Sequence, residues 1–410
     1  MNTPIIFTNA TVLDVVAGEN VADQHVLVRD GRISEISGAA ITCSSAEVID
    51  LEGKTLMPGL CDAHVHVIAY TADFSLLKSS SPFYVSAQAA KIMGAMLARG
   101  FTTVSDAGGA DWGLARAVEQ GLIAGPRLLY CGHALSQTGG HGDMRGPGEL
   151  SLHQCFCCAG LGTVCDGVDA VLKAAREEIR RGATHIKIMA SGGVASPTDR
   201  ITSTQFSEEE IRAIVGEADA AQIPVIAHAY TARAVNRAIS CGVKSIEHGN
   251  LIDAESVSLM LEHGTTLVPT LVIYRALIEE GEEAGLAAEL VAKTHQVLDA
   301  GIAALEMAYK AGVHIAYGTD LLGQMHRRQN EEFDIRKEVV STPDLIRQAT
   351  VNAAGLFRMQ DQIGQVTVGF DADLIVVDGD PLADIGLLAR PQESLKMTMK
   401  GGRIMVRHDI

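Results

Sequence analysis

The chain has 410 residues, 47 % of them hydrophobic, with 41 glycines against 11 prolines, which suits one large core with a small appendage better than several equal domains. Its formal net charge is −17 and it has no Lys/Arg-rich run, so neither nucleic acid nor an anionic membrane surface is an expected partner. Eight cysteines are too sparse for a disulfide scaffold, and no stretch approaches the ~20 apolar residues of a membrane span. Met1–Phe7 has no basic n-region, so the expectation is a soluble cytoplasmic protein.

Residues 3–52 read as short alternating strands (Ile5–Thr8, Val26–Arg29, Arg32–Ile36), with Asp30-Gly31 as a hairpin turn. From about residue 60 to 360, β-rich runs alternate with longer helical stretches. The expected strands are Leu60–His66, Thr102–Asp106, Arg127–His133, Thr184–Ala190, Pro224–His228, Ser245–His248, Thr266–Leu271 and Ile315–Asp320. Ser207 followed by Glu210 is a capping box opening a helix over Glu208–Ala221, and Thr342-Pro343 opens another over Asp344–Phe357. Gly100, Gly182, Gly242, Gly264 and Gly312 stand where left-handed helix stops belong. The tail, Ala372–Val377 and Met397–Val406 about a Gly401-Gly402 turn, has the same β-rich character as the head.

Successive strand–helix units imply parallel strands, because each return to the sheet needs a crossover. Eight such units close most naturally into an α/β fold of the (β/α)8 TIM-barrel type, with its reactive groups at the carboxyl ends of the strands. The two β-rich ends are expected to meet as a small β-sandwich, residues 1–58 with 364–410, beside a barrel over 59–363. About thirty-five residues rich in Gly, Cys and Pro separate the strand ending near His133 from the helix starting near Asp169, which predicts a lid or substrate wall. Within them, Cys155, Cys157, Cys158 and Cys165, with His153 alongside, match no strong metal template; a structural zinc site and reduced thiols in a packed loop both remain open.

Polar residues end several of the apolar runs. In His64-Val65-His66 the two imidazoles fall on one side of a strand end, a ready chelate for a divalent ion such as zinc. His228 and His248 end later runs and make a second pair, and Asp320 follows Gly318-Thr319. Asp320 is either a helix cap or a ligand that also accepts a proton from attacking water. Lys187 is a poor ligand as an ammonium. It is either neutralised by Asp320 or Glu247, or converted by carbon dioxide into a carbamate whose two oxygens bridge two cations.

These residues carry a family resemblance over essentially the whole chain. Pro58-Gly59-Leu60-Cys61-Asp62-Ala63-His64-Val65-His66, Lys187, His228, His248, Asp320 and Gly369-Phe370-Asp371-Ala372-Asp373 resemble the amidohydrolase superfamily of binuclear-metal hydrolases. The runs Ile186–Pro197, Ala227–Tyr230, Ile246–Asn250 and Thr138–Asp143 are similar to its prolidase-type branch, Xaa-Pro dipeptidases and zinc carboxypeptidases. The resemblance implies two Zn2+ ions, one on His64 and His66 and one on His228 and His248, bridged by N6-carboxylated Lys187. It makes Asp320 ligand and general base, has His141 polarise the scissile carbonyl, and places Tyr230 near the substrate carboxylate. Arg275, Arg327 or Arg328 would suit that carboxylate too.

The implied activity is hydrolysis of dipeptides or N-acyl amino acids with a free C-terminal carboxylate, Xaa-Pro foremost, in a homo-oligomer. Dipeptidases or carboxypeptidases for basic or aliphatic C-terminal residues are alternatives, as is a cyclic-amide hydrolase of imidazolonepropionase type. Deamination is disfavoured because Thr231 stands where mononuclear deaminases carry glutamate, and a non-catalytic scaffold is disfavoured because every expected ligand is present.

Overall fold

The computed structural model describes residues 3–150, 160–285 and 288–408. The N-terminal strands are β1 (Ile5–Asp14), β2 (Glu19–Arg29), β3 (Arg32–Ser37), β4 (Glu47–Asp50) and β5 (Thr55–Pro58). There follow β6 (Leu60–Val65), β7 (Phe101–Asp106), β8 (Arg127–Tyr130), β9 (Ala134–Ser136), β10 (Gly162–Val164), β11 (Ile186–Met189), β12 (Val225–Thr231), β13 (Ser245–Leu251) and β14 (Thr266–Val268). The tail adds β15 (Leu374–Val377), β16 (Leu395–Lys400) and β17 (Arg403–Arg407).

Head and tail meet in one eight-stranded sheet, ordered β17-β16-β15-β5-β1-β2-β3 with β4 also on β1. Its seam is β5, parallel to β1 and antiparallel to β15. Both expected turns form: Asp30 and Gly31 take φ of 51° and 83°, Gly401 and Gly402 take 53° and 71°, each pair joining adjacent antiparallel strands. An apolar cluster that includes Phe7, Val28, Leu51, Leu374 and Met399 is separate from the large core of the body. The apolar run Thr55–His66 is thus two strands in two sheets, divided at Gly59, where a Cβ would lie 2.2 Å from Thr102 Oγ1. Arg127, on β8, ties the body to the tail through Asp371 (2.9 Å) and Asp373 (3.2 Å).

The body holds two all-parallel sheets, β6-β7-β8 and β10-β9-β11-β12-β13-β14. The expected eighth strand, Ile315–Asp320, forms only one bridge, Ile315 with Leu267. Its other backbone bonds run to both flanks: Ala316 N–H donates to Leu267 O (3.0 Å), Tyr317 O accepts from Ala63 (2.7 Å), and Asp320 N–H donates to His64 O (2.8 Å). A regular ladder is missing because a side chain takes the carbonyls. The buried Arg336 guanidinium donates to Pro269 O, to Ala316 O (3.0 Å) and to Gln348 Oε1 (2.9 Å), with Glu332 beside it at 2.6 Å.

The Ser207–Glu210 capping box forms and opens Glu208–Ala220. All five glycine stops take positive φ, from 61° at Gly264 to 101° at Gly242. The helix expected over 344–357 is instead two, Thr342–Gln348 and Val351–Leu356. The carbonyls of Gln348 and Ala349 leave the helical ladder to accept from Tyr317 (3.0 Å) and Cys61 (2.7 Å). Two unforeseen strands, β9 and β10, pair with each other at either end of the Gly/Cys/Pro-rich insertion. Of its cysteines, Cys155, Cys157 and Cys158 lie outside the described residues, as does His153. Cys165 is buried and its thiol is pushed up to about 12 by that burial, the behaviour of an inert packed thiol. Among the described residues no helix is long and apolar enough to cross a membrane.

Candidate active site

His64 is on β6 and His66 just beyond it, Lys187 is on β11, His228 on β12, His248 on β13, and Asp320 is hydrogen-bonded through its backbone to His64. In the parallel register Met189 stands beside His228 and Ala229 beside His248, so neighbouring strands bring these side chains together. The rings of His64 and His248 are 5.0 Å apart and those of His248 and His228 4.6 Å. His64, His66 and Asp320 each offer a ligand atom within 4.8 Å of the others. One carboxylate oxygen, Asp320 Oδ1, lies 3.4 Å from His64 Nε2 and 3.2 Å from His66 Nε2. Two of these residues, His248 and Asp320, have left-handed backbones with φ of 76° and 58°, a cost that functional sites commonly carry.

Each imidazole is anchored through one nitrogen. His64 Nδ1 is 2.5 Å from Glu247 Oε2, and Glu247 Oε1 accepts from Ser245 Oγ at 2.6 Å. His66 Nδ1 donates to Gly108 O (3.0 Å) and His228 Nε2 to Gly192 O (3.1 Å), while His248 Nδ1 meets Thr270 Oγ1 at 2.8 Å. Carbonyls only accept, so the tautomers of His66 and His228 are fixed and the opposite nitrogens keep their lone pairs. This is how metal-bound histidines are held. Burial keeps His228 and His248 well below the usual imidazole range, hence neutral, which is the ligating form. Burial would push Asp320 up, but His64 and His66 hold it well below the carboxylate range.

Lys187 is 1 % exposed, and its ammonium makes no hydrogen bond or ion pair with a described residue. Burial lowers its pKa against the opposing pull of Glu247 and Asp320. A buried amine among four anchored imidazoles and a carboxylate fits a site completed by divalent metal.

A cavity of about 330 Å3 opens onto His66, His141, His228, Tyr230 and Asp320. The His141 ring stacks on His228 at 4.2 Å. Tyr230 is buried, its ring 4.9 Å from that of His228 and its hydroxyl 3.3 Å from that of Tyr274. The insertion contributes residues 141–145 and 160–164 to the cavity wall, as its position led one to expect. Arg275, Arg327 and Arg328 do not line it; Arg328 is shared among Glu279, Glu280 and Glu331, and Arg327 pairs with Glu280. The cations that do line it are Lys78 and Arg145, the latter held by both oxygens of Asp143 at 2.8 and 2.6 Å. Neither had a sequence signal. Nor did Gly108, Gly192 and Thr270, whose roles depend on contacts distant in sequence. Glu247 was visible beside His248 only as a possible partner of Lys187, not as the anchor of His64.

Comparison with known proteins identifies the family. The amidohydrolase family matches residues 55–405. The ochratoxinase of Aspergillus niger is 34 % identical over 362 residues, covering 85 % of this chain and 75 % of that protein. A prolidase solved with N-methylphosphonate-L-proline is 48 % identical with a TM-score of 0.97, over 99 % of this chain and 100 % of that one. A Xaa-Pro dipeptidase solved with bound methionine is 29 % identical with a TM-score of 0.88, over 98 % and 99 %. The chain belongs to the amidohydrolase family, in its prolidase-type branch.

Proposed function

We propose that this protein is a zinc-dependent amide hydrolase that cleaves dipeptides or N-acyl amino acids bearing a free C-terminal carboxylate, with Xaa-Pro preferred. The observation that carries the proposal is the buried Lys187 side chain among His64, His66, His228 and His248, each anchored through one ring nitrogen. In this reading His64 and His66 would hold one Zn2+ and His228 and His248 the other, with N6-carboxylated Lys187 and Asp320 completing the donor set. Divalent metal bound there supplies Lewis acidity, which acidifies water and polarises an amide carbonyl.

The chain's own groups do the rest. Asp320, with a fifth of its side chain exposed, takes the proton of the attacking water and returns it to the leaving nitrogen. That return matters most for a proline nitrogen, a poor leaving group unless protonated. His141 polarises the scissile carbonyl from the cavity wall, and Tyr230 approaches the substrate carboxylate. Leu77, Leu161, Val194, Ile273 and Leu277 are among the residues lining the cavity, which suits a bulky apolar substituent. The similar prolidase solved with a phosphonate of proline supports the choice of substrate.

The same proposal takes residues 59–363 as one closed (β/α)8 barrel, with Ile315–Asp320 as its closing segment, and 1–58 with 364–410 as a sandwich domain. The protein acts in the cytoplasm as a homo-oligomer. Dipeptides and N-acyl amino acids varied at the C-terminal residue, assayed with zinc and bicarbonate, test it. Turnover of Xaa-Pro above other dipeptides is expected. Turnover of cyclic amides alone would replace it with the imidazolonepropionase-type alternative.

A further inference from the structure

We infer that Ser196, Asp199 and Gln205 form a brace that fixes the ring and the tautomer of His141, making Asp199 a positioning residue although it does not line the substrate cavity. The inference rests on the proposed role of His141 in the reaction. All three brace residues are buried. His141 follows β9, whereas Ser196, Asp199 and Gln205 come from the loop after β11, so the brace joins two strand ends.

The direction of every hydrogen bond in the brace follows from groups with only one possible role. The backbone N–H of His141 can only donate, and it donates to Gln205 Oε1 at 2.9 Å. That fixes the orientation of the amide, so Gln205 Nε2 is the donor to Asp199 Oδ2, also at 2.9 Å. The backbone N–H of Gly193 donates to the same oxygen at 3.3 Å. The Ser196 hydroxyl donates to Asp199 Oδ1. The Ser196 proton being committed, its oxygen must accept from His141 Nδ1, 2.8 Å away. Nδ1 is therefore the inward donor.

Packing fixes the ring plane as well. One face of His141 stacks on His228, with 22° between the planes. A Cβ added to Gly193 would lie 2.1 Å from His141 Cε1, so the ring also packs against bare backbone. The segment Ser191–Pro197, which resembles the family pattern, thus has a glycine where no side chain fits and a serine whose hydroxyl links Asp199 to the ring.

The experiment is a double-mutant cycle on the zinc-loaded enzyme with alanyl-L-proline as substrate. Ser196→Ala and Asp199→Ala are each expected to lower kcat by about 10- to 100-fold with unchanged zinc content, the usual cost of losing an orienting partner. In a His141→Ala background, Ser196→Ala is expected to cost less than about twofold more, because residues that act as a unit are not additive. An equal loss in both backgrounds would overturn the brace. A His141→Ala enzyme with undiminished kcat would instead refute the role of His141 in the reaction. The brace is then still decided by 15N spectra of ring-labelled histidine: a His141 ring protonated at Nδ1 that loses this preference in Ser196→Ala supports it, and one protonated at Nε2 overturns it.

Discussion

Glu247→Gln is the sharpest perturbation of the proposed metal centre that leaves every proposed ligand in place. Glu247 is fully buried, with one oxygen 2.5 Å from His64 Nδ1 and the other 2.6 Å from Ser245 Oγ. Glutamine keeps the volume and one acceptor but removes the charge. A hydrogen bond to a charged partner contributes about 1.5–3 kcal/mol and a neutral one about 0.5–1.5 kcal/mol, so roughly 1–1.5 kcal/mol of support for His64 is lost. That corresponds to about a tenfold weaker hold on zinc, the lower end of what orienting partners of metal-bound histidine contribute. Competition against a chromophoric chelator measures it, with far-UV circular dichroism as the folding control. A well-folded variant that binds zinc as tightly as the parent would refute the reasoning, because His64 would then not owe its ligand character to this carboxylate.

Asp320→Asn should retain the fold while turnover falls by about 10²–10⁴-fold, the usual range for a lost general base; near-normal kcat would assign the proton to another group. Arg336→Met should destabilise the protein by about 3–5 kcal/mol in urea melts, since it strands the buried Glu332 carboxylate and frees the carbonyls of Pro269 and Ala316; a shift under 1 kcal/mol would contradict the clamp. His326 is pushed down to about 3 by burial, against the raising effect of its bond to Ala69 O. Neutral when folded, it takes up a proton below about pH 6.5 only when unfolded, so its contribution is complete above that pH and is lost as pH falls toward 3. His326→Gln should therefore recover roughly 2–3 kcal/mol of the stability lost between pH 7 and pH 4.5, and an unchanged acid limb would count against it.

Much of this site is legible in the sequence because it is written at strand ends. The alternation in His64-Val65-His66 and the helix-stop glycines need only local geometry, and they are found where local geometry puts them. What is illegible depends on partners far along the chain. The split at Gln348-Ala349 follows from carbonyls drawn to Tyr317 and Cys61, and the sparse pairing of Ile315–Asp320 follows from Arg336, an arginine that reads as an ordinary helix residue. The anchors of the histidines escape notice for the same reason: Gly108 and Gly192 act through backbone oxygens, which carry no side-chain signal. The arginines proposed for the substrate carboxylate fail because acidic neighbours from Glu279 to Glu331 already hold Arg327 and Arg328.

The most direct measurement is zinc stoichiometry, with 13C NMR of protein prepared in labelled bicarbonate, on wild type and Lys187→Ala. The account predicts two zinc equivalents per wild-type chain with a carbamate resonance, and neither in the variant. Wild-type protein that takes up no zinc from a zinc- and bicarbonate-supplemented medium, or a Lys187→Ala variant that keeps both ions, would contradict it.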